Sequence, residues 1–206
     1  MKKLIVLLVI GGLVPCAIAN LILNDGGNYI IDYDVADYYT VIDYENLQSS
    51  PENHTFVELV DGGQIKLLET NGFSEVIING GIIHSSILAT NNSHIIINAG
   101  EFPNVSDRHC YNNALIEVYG GQLTGQYFSS YGGDIKVYGY DFTIAEEPYG
   151  RPGEIRYTFN GTLANGDIVT DLKVIGLPEN ISFVPEPATL AMLALGGVLI
   201  RRRRVA

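Results

Sequence analysis

From residue 56 to residue 143 apolar residues recur at alternate positions and break, each time, at a glycine-rich corner. Five segments superimpose: Glu58-Leu59-Val60-Asp61-Gly62-Gly63, Val76-Ile77-Ile78-Asn79-Gly80-Gly81, Ile95-Ile96-Ile97-Asn98-Ala99-Gly100, Ile116-Glu117-Val118-Tyr119-Gly120-Gly121 and Ile135-Lys136-Val137-Tyr138-Gly139-Tyr140. The anchors at 62, 80, 99, 120 and 139 are 18, 19, 21 and 19 residues apart. Two positions before the anchor stand Val60, Ile78, Ile97, Val118 and Val137. Four before it stand Glu58, Val76, Ile95, Ile116 and Ile135, with Glu58 the exception. Three after it stand Ile65, Ile83, Phe102, Leu123 and Phe142. Period-two alternation ending at glycine predicts a strand, a tight turn and a second strand.

One such unit cannot bury its apolar face, whereas stacking units about 4.8 Å apart does. The pattern therefore predicts an all-β fold, a right-handed parallel β-solenoid over residues 20–144. Upstream, Gly26 in Asn24-Asp25-Gly26-Gly27 lies 36 residues before Gly62, leaving room for a degenerate coil around Val41-Ile42-Asp43-Tyr44. That gives about six to seven coils. An antiparallel sandwich with Gly-Gly hairpin turns is the competing architecture, but hairpins do not require the same column to stay apolar. After Thr143 the repeat fails. Two strand-like runs, 154–159 and 167–174, flank Asn160-Gly161-Thr162-Leu163-Ala164-Asn165-Gly166, so residues 145–183 are expected to form a β-hairpin cap over the open end.

The two termini have another character. Lys2 and Lys3 precede an apolar run, 4–14, and small residues at Ala17 and Ala19, the pattern of a signal peptide spanning residues 1–19. At the other end Val184-Pro185-Glu186-Pro187 leads into thirteen apolar or small residues, 188–200, and then Arg201, Arg202, Arg203 and Arg204. As a helix that segment would span roughly 20 Å, short of a bilayer core. Residues 184–206 resemble the PEP-CTERM sorting signal of exosortase-bearing Gram-negative bacteria. The resemblance implies a short hydrophobic transmembrane helix as a transient inner-membrane anchor, recognition at Val184, Pro185, Glu186 and Pro187, and a basic tail left on the cytoplasmic side. It further implies exosortase and the secretion machinery as partners, and delivery to the cell surface or extracellular matrix. The body also resembles small PEP-CTERM proteins built of Ile-x-Ile-x-Gly-Gly repeats, a resemblance that implies fold and export.

Charge narrows the partners. The chain of 206 residues has 12 Lys+Arg against 23 Asp+Glu. Loss of Lys2, Lys3, Glu186 and the four terminal arginines leaves 6 basic and 22 acidic residues, a net charge of −16. Such a surface excludes nucleic acid, whose phosphates require a basic face, and favours cations or cationic polymers. Cys16 leaves with the signal peptide, so Cys110 cannot form an internal disulfide and is expected to be a small buried apolar residue.

Candidate chemistry is sparse. Asp32, Asp34 and Asp37 lie among tyrosines and offer oxygen ligands of the kind calcium takes, but they lack the glycine and closing glutamate of an EF-hand loop; a solvated acidic coil is the plainer reading. Tyr119 and Tyr138, with Tyr127 and Tyr131 near them, are candidate sugar-binding residues, because a tyrosine offers an apolar face and a polar hydroxyl. Asp107-Arg108-His109-Cys110 falls in the longest coil insertion, expected as a polar loop. Glu69, Glu75, Glu101, Asp107 and Glu117 do not form the convergent carboxylate pair of a glycosidase. No catalytic residue, cofactor or confident metal site is expected. The sequence points to an exported, non-enzymatic structural or adhesive protein associated with exopolysaccharide. A carbohydrate-binding module is the alternative, and a polysaccharide lyase or hydrolase a more distant one.

Overall fold

Two parallel strand ladders carry the repeat. The computed structural model describes residues 21–43, 50–103 and 107–185, and the side chains of all of these except 36–39 and 107. The first ladder stacks β2 (Asn28–Ile31), β4 (Phe56–Leu59), β6 (Glu75–Ile78), β8 (His94–Ile97), β10 (Leu115–Val118) and β12 (Asp134–Pro148). The second stacks β1 (Leu21–Leu23), β3 (Asp34–Ile42), β5 (Gln64–Thr70), β7 (Ile82–Ala89), β9 (Asp107–Tyr111) and β11 (Tyr127–Tyr131). The chain alternates between them. Every pairing inside the two ladders is parallel.

At the C-terminal end the ladders are joined. β12 continues unbroken past the last repeat and pairs antiparallel with β13 (Ile155–Leu163), which pairs antiparallel with β14 (Ile168–Gly176), which lies parallel on β11. After a single 3₁₀ turn at Pro178–Asn180, β15 (Ile181–Pro185) adds to the free side of β12. The result is one large, mostly parallel, open sheet, with no α-helix among the described residues.

The alternation read in the sequence is the burial pattern. In the first ladder Val57, Val76, Ile95, Ile116 and Ile135 form one buried column and Leu59, Ile78, Ile97, Val118 and Val137 the next. Each fully buried Val, Leu or Ile contributes about 1.5–3 kcal/mol over an exposed one. Ile65, Ile83, Phe102 and Leu123 are buried as well, and Phe142 packs against the core half-covered.

Two registers differ from the expected ones. Leu59, not Val60, pairs with Ile78, because the corner between Leu59 and Gln64 holds one residue more than the corner between Ile78 and Ile82. Glu58 therefore faces outward beside Ile77, and the exception in the apolar column disappears. Upstream, Ile31 pairs directly with Leu59, so no degenerate coil lies between β2 and β4. Val41 and Ile42 belong instead to β3, opposite Glu69 and Thr70.

Candidate functional site

The outer face of the first ladder carries polar side chains in register. Asn79 Nδ2 donates to Glu58 Oε1 at 2.7 Å, and Asn98 Nδ2 to Asn79 Oδ1 at 2.8 Å. On the next two strands the column becomes Tyr119 and Tyr138, whose rings stack 4.2 Å apart and 8° from parallel. Tyr138 Oη donates to Glu117 Oε1 at 2.6 Å, and the second carboxylate oxygen of Glu117 lies 2.9 Å from His94 Nε2. The hydrogen bond to Glu117, with burial and the bond to Tyr119 behind it, raises the Tyr138 phenol above its ordinary value. Each ring spends one face on the other. The flanking positions in the column are Asn98 and Val184, and the edges are left for solvent.

The other two tyrosines stand elsewhere. Tyr127 and Tyr131 are on β11, in the second ladder. Tyr131 stacks on Tyr111 at 5.1 Å, His109 lies 5.2 Å from Tyr131 and bonds Tyr111 Oη through Nδ1 at 2.8 Å, and the Arg151 guanidinium sits 5.7 Å over Tyr131. The candidate tyrosines thus do not converge: Tyr119 and Tyr138 stack on the first ladder, and Tyr131 stacks with Tyr111 on the second.

Of the calcium candidates, Asp32 and Asp34 are exposed, and the Asp37 side chain lies outside the described residues. Among the described residues no three of His, Cys, Asp and Glu cluster as a metal would require. Asp43, which follows them in the sequence, is buried: its carboxylate accepts the Thr55 hydroxyl at 2.5 Å and the Thr55 amide at 3.0 Å. It holds a turn.

Asp107-Arg108-His109-Cys110 is not a loop. It is most of β9. Arg108 takes an inward position between Ile87 and Phe128, fully buried, with its guanidinium 5.2 Å from the Phe102 and Phe128 ring centres and Nη1 3.1 Å from Gln126 Oε1. Burial lowers its pKa to about 9. Cys110 is buried too, its thiol directed at the Ala114 and Asp134 carbonyls, and burial pushes its pKa up to about 12.

A concave feature that the sequence did not announce runs along the glycine corners. Two adjoining depressions of about 410 and 430 Å³ share Glu101, Gly121, Gln122 and Asp167, forming one groove across successive corners from Asp61 to Thr124. Its floor is largely glycine backbone, joined by Ala99 and Ile82. Its wall is the turn joining β13 to β14, clipped down by several bonds. The amides of Ala164 and Asn165 donate to the Tyr138 and Tyr119 carbonyls at 3.0 and 2.9 Å. Asn165 Nδ2 reaches the Asn98 carbonyl, and the Gly121 amide donates to Asp167 at 2.7 Å. Asp61, Glu101 and Asp167 line the groove, and among the described residues no Lys, Arg or His does. Ile168 stands at its mouth, 79% exposed. The Asn165-Gly166-Asp167 run was the available signal, since Asn and Asp after a strand often brace a turn against a neighbour.

The C-terminus connects this body to its address. Val184 and Pro185 are the last residues of β15, while Glu186, Pro187, the apolar segment and Arg201, Arg202, Arg203 and Arg204 lie outside the described residues. No helix among the described residues is long and apolar enough to cross a membrane, and the proposed membrane segment is not among them. No curated protein and no solved structure matches the chain. One family model does: the PEP-CTERM protein-sorting motif, over residues 183–204. The chain carries a PEP-CTERM sorting motif, which implies export, sorting to the cell envelope and processing by exosortase.

Proposed function

We propose that the exported body is a structural or adhesive protein of the bacterial surface or matrix, associated with exopolysaccharide and not an enzyme. In this reading the two ladders are the walls of a right-handed β-solenoid of six to seven coils, and the sheet formed by the end of β12 with β13 and β14 is its cap. The observation that carries it is continuity. β15 is paired to the body along its whole length and ends inside the sorting motif, so the exported unit and its address are one piece. The outward polar side chains also support it, because Asn79, Asn98, Glu117 and Tyr138 are engaged with one another along the ladder, as in a scaffold. The host is a Gram-negative cell, with the apolar segment anchoring the chain in the inner membrane before sorting.

The test is co-sedimentation of the exported protein with the producing cell's own extracellular polysaccharide, with and without Ca²⁺. Saturable retention is the expected result. Loss of retention on calcium removal would bring Asp32, Asp34 and Asp37 back as ligands. Absence of retention in both conditions would end the polysaccharide reading. A carbohydrate-binding module centred on Tyr119 and Tyr138 is the second reading, favoured by their paired rings. It requires that Tyr119→Ala and Tyr138→Ala abolish retention while the fold survives.

A further inference from the structure

We propose that the groove along the glycine corners binds a single glycan strand bearing free amino groups, with Glu101, Gln122 and Asp167 as its polar contacts and Ile168 as its apolar one. This rests on the polysaccharide reading above and names both the site and the ligand class. Four observations converge. The groove is long and shallow, crossing several strands spaced about 4.8 Å apart, which suits a chain better than a single small molecule. Its floor is largely glycine, with only Ala99 and Ile82 beside it, so a sugar ring can approach the backbone closely. Its charged lining residues, Asp61, Glu101 and Asp167, are all acidic. Carboxylates that meet a protonated amine form charge-assisted hydrogen bonds, while the Gln122 and Gln126 amides suit hydroxyl and acetamido groups. Finally, Ile168 is the most exposed large apolar residue among those described, and it stands beside these acceptors, where the C–H face of a sugar would cover it.

The groove is also held in shape before any ligand arrives. Asp167 and Asn165 are tied to Gly121 and to the Asn98 carbonyl, so the wall does not have to order on binding. A uronate chain is excluded by the same carboxylates that attract the amine.

The experiment is calorimetric titration of the exported protein with three oligosaccharides of equal length: de-N-acetylated oligoglucosamine, its fully N-acetylated counterpart and an oligouronate. The glucosamine form is expected to bind at least ten-fold more tightly than the acetylated form, weakening with salt, and the uronate not at all. Glu101→Gln should weaken it about two- to five-fold, the effect of one exposed charge pair. Gln122→Trp, an exposed position that fills the groove, should abolish binding while the melting curve is kept. The paired control Glu52→Gln with Glu146→Gln removes two exposed charges away from the groove and should change nothing. Equal loss in that control would reduce the effect to general surface charge and overturn the proposal. So would equal binding of the acetylated form, or binding that survives Gln122→Trp. Retention of the native polysaccharide that is untouched by the groove variants would leave the polysaccharide reading standing and remove this site.

Discussion

Tyr138 lies face to face on Tyr119, one strand along the ladder, with 4.2 Å between the ring centres. Stacked this way the rings are part of the sheet's outer surface. They serve the spacing of the strands, with the Tyr138 hydroxyl pinned to Glu117.

That hydroxyl has a consequence at high pH. Its proton is held more tightly in the folded chain than in the unfolded one, chiefly by the Glu117 carboxylate, and Tyr29 is raised to about 12 by burial and by Asp25. A group that binds its proton better when folded contributes fully below its unfolded pKa, about 10 for tyrosine, and the contribution drains away as pH rises from there toward the higher folded pKa. The melting temperature should therefore fall above about pH 10, and Tyr138→Phe, which removes the titrating group, should make the fall shallower. Melts from pH 8 to 12 decide it; an identical fall in both proteins would contradict the assignment.

Arg108 is large, charged and fully enclosed between two phenylalanine rings. Arg108→Ala opens a cavity in the second ladder and should destabilise the protein by about 3–5 kcal/mol. Arg108→Met keeps most of the volume and removes a buried charge, and should cost less than half as much. Urea unfolding midpoints of the two variants give the comparison. Equal losses would mean that the guanidinium's polar contacts, not its bulk, carry the effect.

Cys110 should be chemically silent in the native state. Its thiol is fully buried and its pKa is raised to about 12, so at pH 8 almost no thiolate exists. Reaction with an aromatic disulfide reagent should be slow in buffer and complete within minutes in concentrated denaturant. Rapid native labelling would show that β9 opens.

Two of the opposite corners depend on asparagine. Asn91 and Asn112 have φ of 59° and 56°, and Asn112 Nδ2 donates to Asn91 Oδ1, which in turn stands beside Asn71. Asn112→Ala keeps a β-carbon in the left-handed conformation but removes the amide that makes it tolerable there, and should cost about 1–2 kcal/mol. Asn112→Gly relieves that strain and loses only the side-chain bond, so it should cost clearly less. Thermal denaturation of the pair separates backbone strain from the amide ladder.

These asparagines also show where sequence reading stopped. The glycine corners were legible because glycine, a β-branched residue and an alternating partner recur together, and that triple pattern has few physical explanations. The opposite corners were not, since the left-handed position passes from Gly72 to Asn91 and Asn112 and then to Gly132, four positions that share a backbone angle without sharing a side chain. The misplacement of Glu58 has a similar cause: aligning on glycine hid a one-residue-longer corner, although a charged residue in an apolar column was the warning. Arg108 gave the opposite error. Its charge suggested a loop, whereas two flanking aromatic rings allow it to occupy a core column. The groove left only the Asn165-Gly166-Asp167 run as a local trace, because it forms only when 164–167 return to lie over corners that are 46 and 67 residues earlier in the chain.

β15 is where the folded body and the sorting motif meet, with Phe183, Val184 and Pro185 belonging to both. Mechanically this leaves no slack. Tension applied to the tail enters the sheet at Pro185 and falls at once on the bonds between β15 and β12, and on Phe183 where it stacks 5.4 Å from Phe159. A body tethered through its C-terminus would thus peel β15 from β12 before strain reached the columns behind it, so that β15 acts as a fuse at the tethered end.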